Sequence, residues 1–358
     1  MITVTKTYLP DIEKYKQYID EIYQSGWLTN NGKMVRELEV RLKEYLGVKN
    51  IVLVANGTMA LNLAYKLLGL KGEIITTPFS FVATTSSMVW DNLKPVFVDI
   101  DENSFNIDTS KIEEKINKKT SAIVPVHVFG NACNIDEIEH IAKKNKLKVI
   151  YDASHCFGVE YKNKSILNYG DISTISFHST KLFHTIEGGA IVINDDDLYK
   201  KAKQLINFGF DGRGKIEGLG VNYKMNEFQA AMGLCMLPEI KNIVKKRREI
   251  YEYYMKELKN INYLGFQNQN ILSSENYSYL PVVFRDEQTL KKCVNKMNYN
   301  EIFPRRYFYP SLNKLDYIKC QEKFIKSESI SERILCLPLY ESLDKKDIDK
   351  IIQILKSC

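Results

Sequence analysis

The chain has 358 residues, 44% of them hydrophobic and 26% charged, which is the balance of a folded globular protein and excludes a disordered or fibrous one. That length exceeds the usual single core, so a large domain with a smaller companion is expected. The net charge of +6 is spread over Lys-rich positions, and no run approaches the ~20 apolar residues of a membrane span, so neither membrane insertion nor nucleic-acid binding is expected.

Through roughly the first 240 residues, apolar runs alternate with amphipathic patterns, which predicts a parallel sheet wrapped by helices. Met34 to Leu46 reads as a helix whose apolar positions are Val35, Leu38, Val40, Leu42, Tyr45 and Leu46. Ile51 to Ala55 is a strand, Asn56-Gly57-Thr58 a turn, and Met59 to Leu68 a helix. Further strands are predicted at Glu73 to Thr77, Pro95 to Asp99, Ala122 to His127, Lys148 to Asp152, Ile172 to Phe177 and Ala190 to Asn194. Each approaches a polar or Gly-containing loop at its C-terminal end, where open α/β sheets place ligands. From Glu239 the texture changes to a charged helix through Lys259, an alternating segment Tyr277 to Phe284, and helices at Asp286 to Met297 and Lys345 to Lys356. The expected division is 1–238 for the large domain and 239–358 for the small one. Within the charged helix, Lys245-Lys-Arg-Arg248 reads as a solvated face.

Seven cysteines are scattered without a CxxC pair, and an odd number cannot all pair within one chain. A reducing, cytoplasmic setting is expected, with no apolar leader in Met1-Ile-Thr-Val-Thr-Lys6 and no metal site.

Five places carry chemistry. Asn56-Gly57-Thr58 is a strand-to-helix turn able to hold a phosphate, although a positive φ at Gly57 and a Thr58 cap explain it as well. In Thr76-Thr-Pro-Phe-Ser-Phe81 the aromatic Phe81 is placed either to stack on a flat ring or to join the core. Asp152 in Asp152-Ala-Ser-His155 ends a strongly apolar strand and needs a partner, for which a pyridinium N–H, a salt bridge and a helix cap are all suitable. Lys181 in Ser176-Phe-His-Ser-Thr-Lys181 lies between two buried strands, where desolvation lowers an amine's pKa and makes it nucleophilic toward carbonyls. Ser176 is a phosphate donor in the same segment, and Glu187-Gly-Gly189 is its return turn. The last place, Gly218-Leu-Gly-Val-Asn222-Tyr-Lys-Met-Asn226, is a Gly-rich loop feeding an Ala-rich helix.

Taken in this order, these blocks resemble the DegT/DnrJ/EryC1/StrS family of sugar aminotransferases. Lys94-Pro-Val-Phe-Val-Asp-Ile-Asp101, Val126-His-Val-Phe-Gly130 and Leu335-Cys-Leu-Pro-Leu339 extend the resemblance over nearly the whole chain. It implies the aspartate-aminotransferase fold (fold type I) of pyridoxal-phosphate enzymes, an α/β fold with a large, mostly parallel-sheet domain and a smaller α+β C-terminal domain. Lys181 would be the Schiff-base lysine and then the general acid/base, Asp152 would keep the pyridine nitrogen protonated, and His155 would sit beside the cofactor's 3′-oxygen. Phe81 would stack on the ring, while Gly57, Thr58 and Ser176 would hold the phosphate, with Asn222 reaching in from a second subunit. A homodimer with shared sites is thereby implied. Some relatives are dehydratases that carry histidine in place of the lysine, so Lys181 favours transamination over 3-deoxygenation.

The resemblance is greatest to the branch making dTDP-4-amino-4,6-dideoxyglucose, with L-glutamate as donor and bacterial surface polysaccharide as destination. A 3-aminotransferase or a UDP-linked substrate is the runner-up. Asn30, Arg213 and the Arg305-Arg306-Tyr307 stretch are the expected sugar-nucleotide contacts, the arginine pair by reaching a diphosphate or else by forming a solvated turn. Another fold-type-I enzyme, such as a cysteine desulfurase or an amino-acid lyase, is a further alternative; a desulfurase needs a reactive cysteine, and none here has an activating context, while a silent binding protein would not need Lys181, Asp152 and His155. No GxGxxG follows the first strand and no GxxxxGK[ST] is present, which disfavours dinucleotide and P-loop enzymes.

Overall fold

The apolar runs assemble into a seven-stranded sheet in the computed structural model, which describes residues 1–358. In chain order the strands are β1 (Ile51–Val54), β2 (Glu73–Thr76), β3 (Lys94–Phe97), β4 (Thr120–Ile123), β5 (Lys148–Asp152), β6 (Ile172–Ser176) and β7 (Gly189–Ile193). In space they run β1-β7-β6-β5-β4-β2-β3. The β2–β3, β2–β4, β4–β5 and β5–β6 pairs are parallel. β7 breaks the parallel pattern predicted from the alternation, because it is antiparallel to both β1 and β6. The reason is local: a parallel return needs a crossover element, and the loop from 177 to 188 contains none. Instead the Phe177 N–H donates to the Gly188 carbonyl at 2.8 Å, turning the chain straight back.

Period-two alternation divides the side chains between two cores. Ile51, Leu53, Ile175, Ala190 and Val192 face one core, which takes in helices Lys33–Leu46 and Glu227–Met236. Val52, Val54, Ile172, Ile191 and Ile193 face the other, against helices Gly57–Leu67 and Asp196–Leu205. On helix Lys33–Leu46 the buried stripe is Met34, Val35, Leu38, Leu42 and Leu46, whereas Val40, expected inside, lies on the outer face and is exposed. Glu39 is buried in its stead and pairs with Lys203 Nζ at 2.6 Å through Oε2. The same helix begins at Gly32 with no cap from its own side chain, and the buried Glu227 carboxylate accepts from Met34 N at 2.7 Å, placing an anion where a helix favours one.

The C-terminal part is a three-stranded antiparallel sheet of β8 (Leu264–Phe266), β9 (Pro281–Phe284) and β10 (Ile334–Cys336). Helices Ile240–Leu258, Glu287–Tyr299 and Lys345–Lys356 close over it around Tyr254, Leu290 and Ile351. The N-terminal pair Ile2–Thr3 also belongs here, pairing in parallel with Ile302–Phe303 and burying Ile2 in the same core.

Two expectations are corrected in this region. The alternating segment is a strand only over Pro281–Phe284, and Arg247 explains why. Rather than lying on a solvated face, Arg247 points inward, is 5% exposed, and donates to the Tyr277 and Ser278 carbonyls, which are thereby withheld from a strand ladder. No helix is long and apolar enough to cross a membrane.

Candidate active site

Because β1, β2, β5 and β6 end at one edge of the sheet and the antiparallel β7 begins there, their loops converge. They enclose a cavity of about 300 Å³ lined by Gly57, Thr58, Phe81, Asp152, His155, Ser176 and Lys181, among others. Residues separated by more than a hundred positions in the chain thus share one pocket.

Lys181 rises from the 177–188 loop and is half-buried as a residue, with its ammonium enclosed by protein. Burial is the main influence and lowers its pKa to about 8, against a smaller upward pull from Asp152 and then Tyr307. Nζ makes one hydrogen bond, to Tyr279 Oη at 3.4 Å. An amine of that pKa keeps a neutral fraction of about a tenth near pH 7, available as a nucleophile or proton acceptor, where an ordinary lysine keeps almost none.

Asp152 is 5% exposed, and the side chains bonded to its carboxylate are hydroxyls rather than cations. Its Oδ2 accepts from Thr84 Oγ1 at 2.8 Å, and its Oδ1 from Ser154 Oγ at 2.6 Å. Hydroxyl donors orient the carboxylate without neutralising it, leaving an anion directed into the pocket. The helix-cap alternative is excluded, since Asp152 terminates β5 and no helix follows directly.

His155 accepts from Phe129 N through Nδ1 at 3.2 Å, so its proton resides on Nε2. Its pKa is well below the ordinary value, because of burial first and the Lys181 charge second. The ring lies nearly parallel to the Phe129 and Phe308 rings and stacks with them, with interplanar angles of 4° and 6°. It is held as a neutral donor.

At the end of β1, Asn56 rather than Thr58 caps the helix, accepting from Met59 N at 2.9 Å. The Gly57–Thr58 amides thus stand at a free helix N-terminus facing Ser176. A Cβ at Gly57 would lie 2.9 Å from Ser176 Cβ, and one at Gly189 would lie 2.6 Å from the Asn56 carbonyl carbon, so both glycines are required by close approach. Phe81 lines the cavity with an exposed ring and is not a core residue.

The expected substrate contacts separate into groups. Arg305 and Tyr307 line the cavity, with the guanidinium 5.0 Å from the Tyr307 ring centre. Arg306 does not: it binds Glu287 at 3.1 Å and the Glu332 carbonyl at 2.8 Å, and lies over the Tyr309 ring, so the expected diphosphate contact is corrected to a structural one. Asn222, Arg213 and Asn30 lie outside this cavity. Arg213 is on an exposed loop, Asn222 is opposite Asn207 near its base, and Asn30 borders a separate cavity with Asp211 and Gly212.

Tyr279, Thr84, Ser154 and Phe308 were not identified from sequence. Ser154 lies within Asp152-Ala-Ser-His155 and Thr84 three residues beyond Phe81, but neither hydroxyl is distinctive in the sequence, and Tyr279 is indistinguishable there from any aromatic in an alternating segment.

A buried carboxylate, a low-pKa lysine and a glycine-cradled helix N-terminus are the donor set that pyridoxal phosphate needs. Comparison with known proteins agrees: the DegT/DnrJ/EryC1/StrS aminotransferase family matches residues 10–356. The chain belongs to this family. This sugar aminotransferase is 41% identical to the dTDP-4-amino-4,6-dideoxy-D-glucose transaminase of Shigella dysenteriae, covering 99% of this chain and 98% of that one. The Escherichia coli enzyme of the same name is 37% identical with the same coverage. Among solved structures, DesI in the presence of its TDP-sugar product has a TM-score of 0.94 at 30% identity, covering 100% of the aminotransferase and 92% of DesI. The family implies pyridoxal phosphate as the aminotransferase's cofactor.

Proposed function

We propose that the enzyme moves the amino group of L-glutamate to C4 of dTDP-4-keto-6-deoxyglucose, giving dTDP-4-amino-4,6-dideoxyglucose for bacterial surface polysaccharide. The observation that carries the chemistry is the meeting of Lys181, Asp152, His155 and the Gly57 turn in one cavity. The sugar is supported by the full-length similarity to the Shigella dysenteriae transaminase.

Gly57, Thr58 and Ser176 would bind the cofactor's phosphate, and Phe81 would cover its ring. When bound, pyridoxal phosphate supplies a carbonyl-derived carbon to carry nitrogen and a conjugated ring to accept an electron pair. The Asp152 carboxylate would hold a proton on the ring nitrogen, because a buried anion favours the neighbouring cation. His155 would donate from Nε2 to the ring oxygen. Lys181 Nζ would anchor the cofactor covalently and, once released, carry a proton from the donor's α-carbon to C4′ and return one during the second half-reaction. With a pKa near 8 it can take and give that proton at modest cost.

The active form would be a cytoplasmic homodimer. Phe208, Phe210, Ile216, Leu219 and Val221 are exposed on the loop carrying Arg213 and Asn222, an apolar surface suited to a second copy. Docked there, Asn222 would reach the partner's phosphate site, and Arg213 and Asn30 the partner's sugar nucleotide. Arg305 and Tyr307 would contact the substrate within their own subunit. The seven unpaired cysteines suit a reducing compartment.

The test is incubation of the holoenzyme with L-glutamate and a panel of dTDP- and UDP-linked 4-keto and 3-keto sugars, with products read by mass and NMR. The expected product carries nitrogen at C4 on the dTDP sugar. Preferential amination at C3 or of a UDP sugar would overturn the substrate assignment, and amino-acid breakdown without sugar amination would indicate a lyase.

A further inference from the structure

We propose that Tyr279 is a catalytic residue that holds the Lys181 amine for its proton transfers, and that Arg247, outside the cavity, positions Tyr279. The proposal rests on the reading of Lys181 given above.

The argument begins with a charge that helix packing does not explain. Arg247 lies on the charged helix Ile240–Leu258 but is buried, with no carboxylate within ion-pairing distance. Burial lowers its pKa to about 10, yet the side chain remains a cation and needs acceptors. It finds two backbone carbonyls: Nε donates to Tyr277 at 2.9 Å, and Nη2 to Ser278 at 2.7 Å. The planar fork fixes both carbonyls together, which a single ammonium donor cannot do with the same geometry.

The same segment is held from the other side. Asn276 Nδ2 donates to the carbonyls of His155 at 2.8 Å and Phe157 at 3.1 Å, and Ser278 Oγ donates to the His155 carbonyl at 3.0 Å. The residue immediately after this clamp is Tyr279. Its ring centre lies 4.8 Å from that of His155, and its hydroxyl accepts from Lys181 Nζ at 3.4 Å. Lys181 Nζ makes no other hydrogen bond in the protein. A lysine that carries protons between two atoms must return to one place, and its four-carbon stem does not enforce that.

The titratable and charged groups lining the cavity with Lys181 are Asp152, His155, His178, Glu187, Tyr279, Arg305 and Tyr307, of which Asp152 and then Tyr307 act on its charge. Burial pushes the Tyr279 phenol above its ordinary value, and His155 stays neutral, so Tyr279 acts as a neutral acceptor rather than a competing base. Accepting from the ammonium favours its charged form, so loss of the hydroxyl lowers the lysine's pKa.

The test combines the apoprotein with the holoenzyme, using Y279F, R247M, R247K and the Y279F/R247M pair. Acetylation of Lys181 by acetic anhydride across pH, read by peptide mass, reports the amine directly without the cofactor. Wild type should label with a midpoint near 8, and Y279F roughly half a unit lower. In the holoenzyme, Y279F should lower kcat of the L-glutamate half-reaction about tenfold with little change in KM. R247M should shift both readouts in the same direction, the double variant should be no worse than Y279F, and R247K should recover part of the loss. Should R247M fail to fold, Y279F and R247K carry the test. Wild-type labelling and wild-type kcat in Y279F would overturn the role of Tyr279. Full additivity of the two substitutions, with unshifted labelling in the folded Arg247 variants, would reduce Arg247 to a structural residue. Activity surviving in K181A with altered labelling in Y279F would retain the contact but remove the catalytic reading on which the proposal rests.

Discussion

Arg305 and Arg306 are consecutive and face opposite ways: Arg305 reaches into the active-site cavity, while Arg306 is bound to Glu287 and the Glu332 carbonyl. The pair therefore separates binding from stability. R306A should lose about 1–2 kcal/mol of stability with unchanged steady-state kinetics. R305A should melt like wild type but raise KM for the sugar nucleotide about tenfold, through loss of one charge-assisted contact. Thermal melts and initial rates on both variants check this, and the opposite assignment of effects would refute it.

Lys181 should cost the apoprotein stability. Its folded-state pKa of about 8 lies below the ordinary 10.5, so the folded state binds the proton less tightly than the unfolded chain does. The cost is absent above pH 10.5, grows as pH falls from there, and is complete once pH has fallen through 8. K181M apoprotein should thus be more stable than wild type by about 2–3 kcal/mol at pH 7, with the gain shrinking toward pH 10.5. Denaturant melts across that range measure it.

Much of this site was readable because strand ends and polar loops follow from apolar runs. The Asp152 and Lys181 loops could be located once β5 and β6 were recognised, and the Gly57 turn once β1 was. Direction was harder: the reversal at β7 depends on the absence of a crossover helix between Phe177 and Gly188, which an apolar pattern does not register. Side-chain orientation within charged runs was not legible either. Arg247 and Arg248 differ only by helix phase, and what draws Arg247 inward is a pair of carbonyls thirty residues away in sequence. Arg306 failed for the same reason, and Tyr279 gained meaning only from the lysine it meets.

G57A should impair cofactor retention more than folding. The added methyl would meet Ser176 Cβ at 2.9 Å, forcing the turn away from Ser176 at a cost of about 1–3 kcal/mol. Pyridoxal phosphate affinity should fall at least tenfold, as the helix N-terminus and the Ser176 hydroxyl lose their common focus. Fluorescence titration of the apoprotein gives the comparison, and unaltered affinity would exclude this turn as the phosphate cradle.

Mixing subunits tests the shared site. N222D places a negative charge against the phosphate that Asn222 is proposed to serve in the other subunit. After co-refolding with inactive K181A, random pairing leaves half the dimers mixed, each with one intact site, and about a quarter of wild-type activity should return. No recovery, in mixtures shown to exchange subunits, would confine Asn222 to its own subunit's site.

The most direct measurement follows isotopically labelled nitrogen from L-glutamate into dTDP-4-keto-6-deoxyglucose, comparing wild-type and K181A holoenzymes. Wild type should deliver the label to C4 of the sugar, and K181A, folded and supplied with pyridoxal phosphate, should deliver none within the wild-type reaction time. Equal labelling by both proteins would contradict the assignment of Lys181 as the residue that carries the reaction.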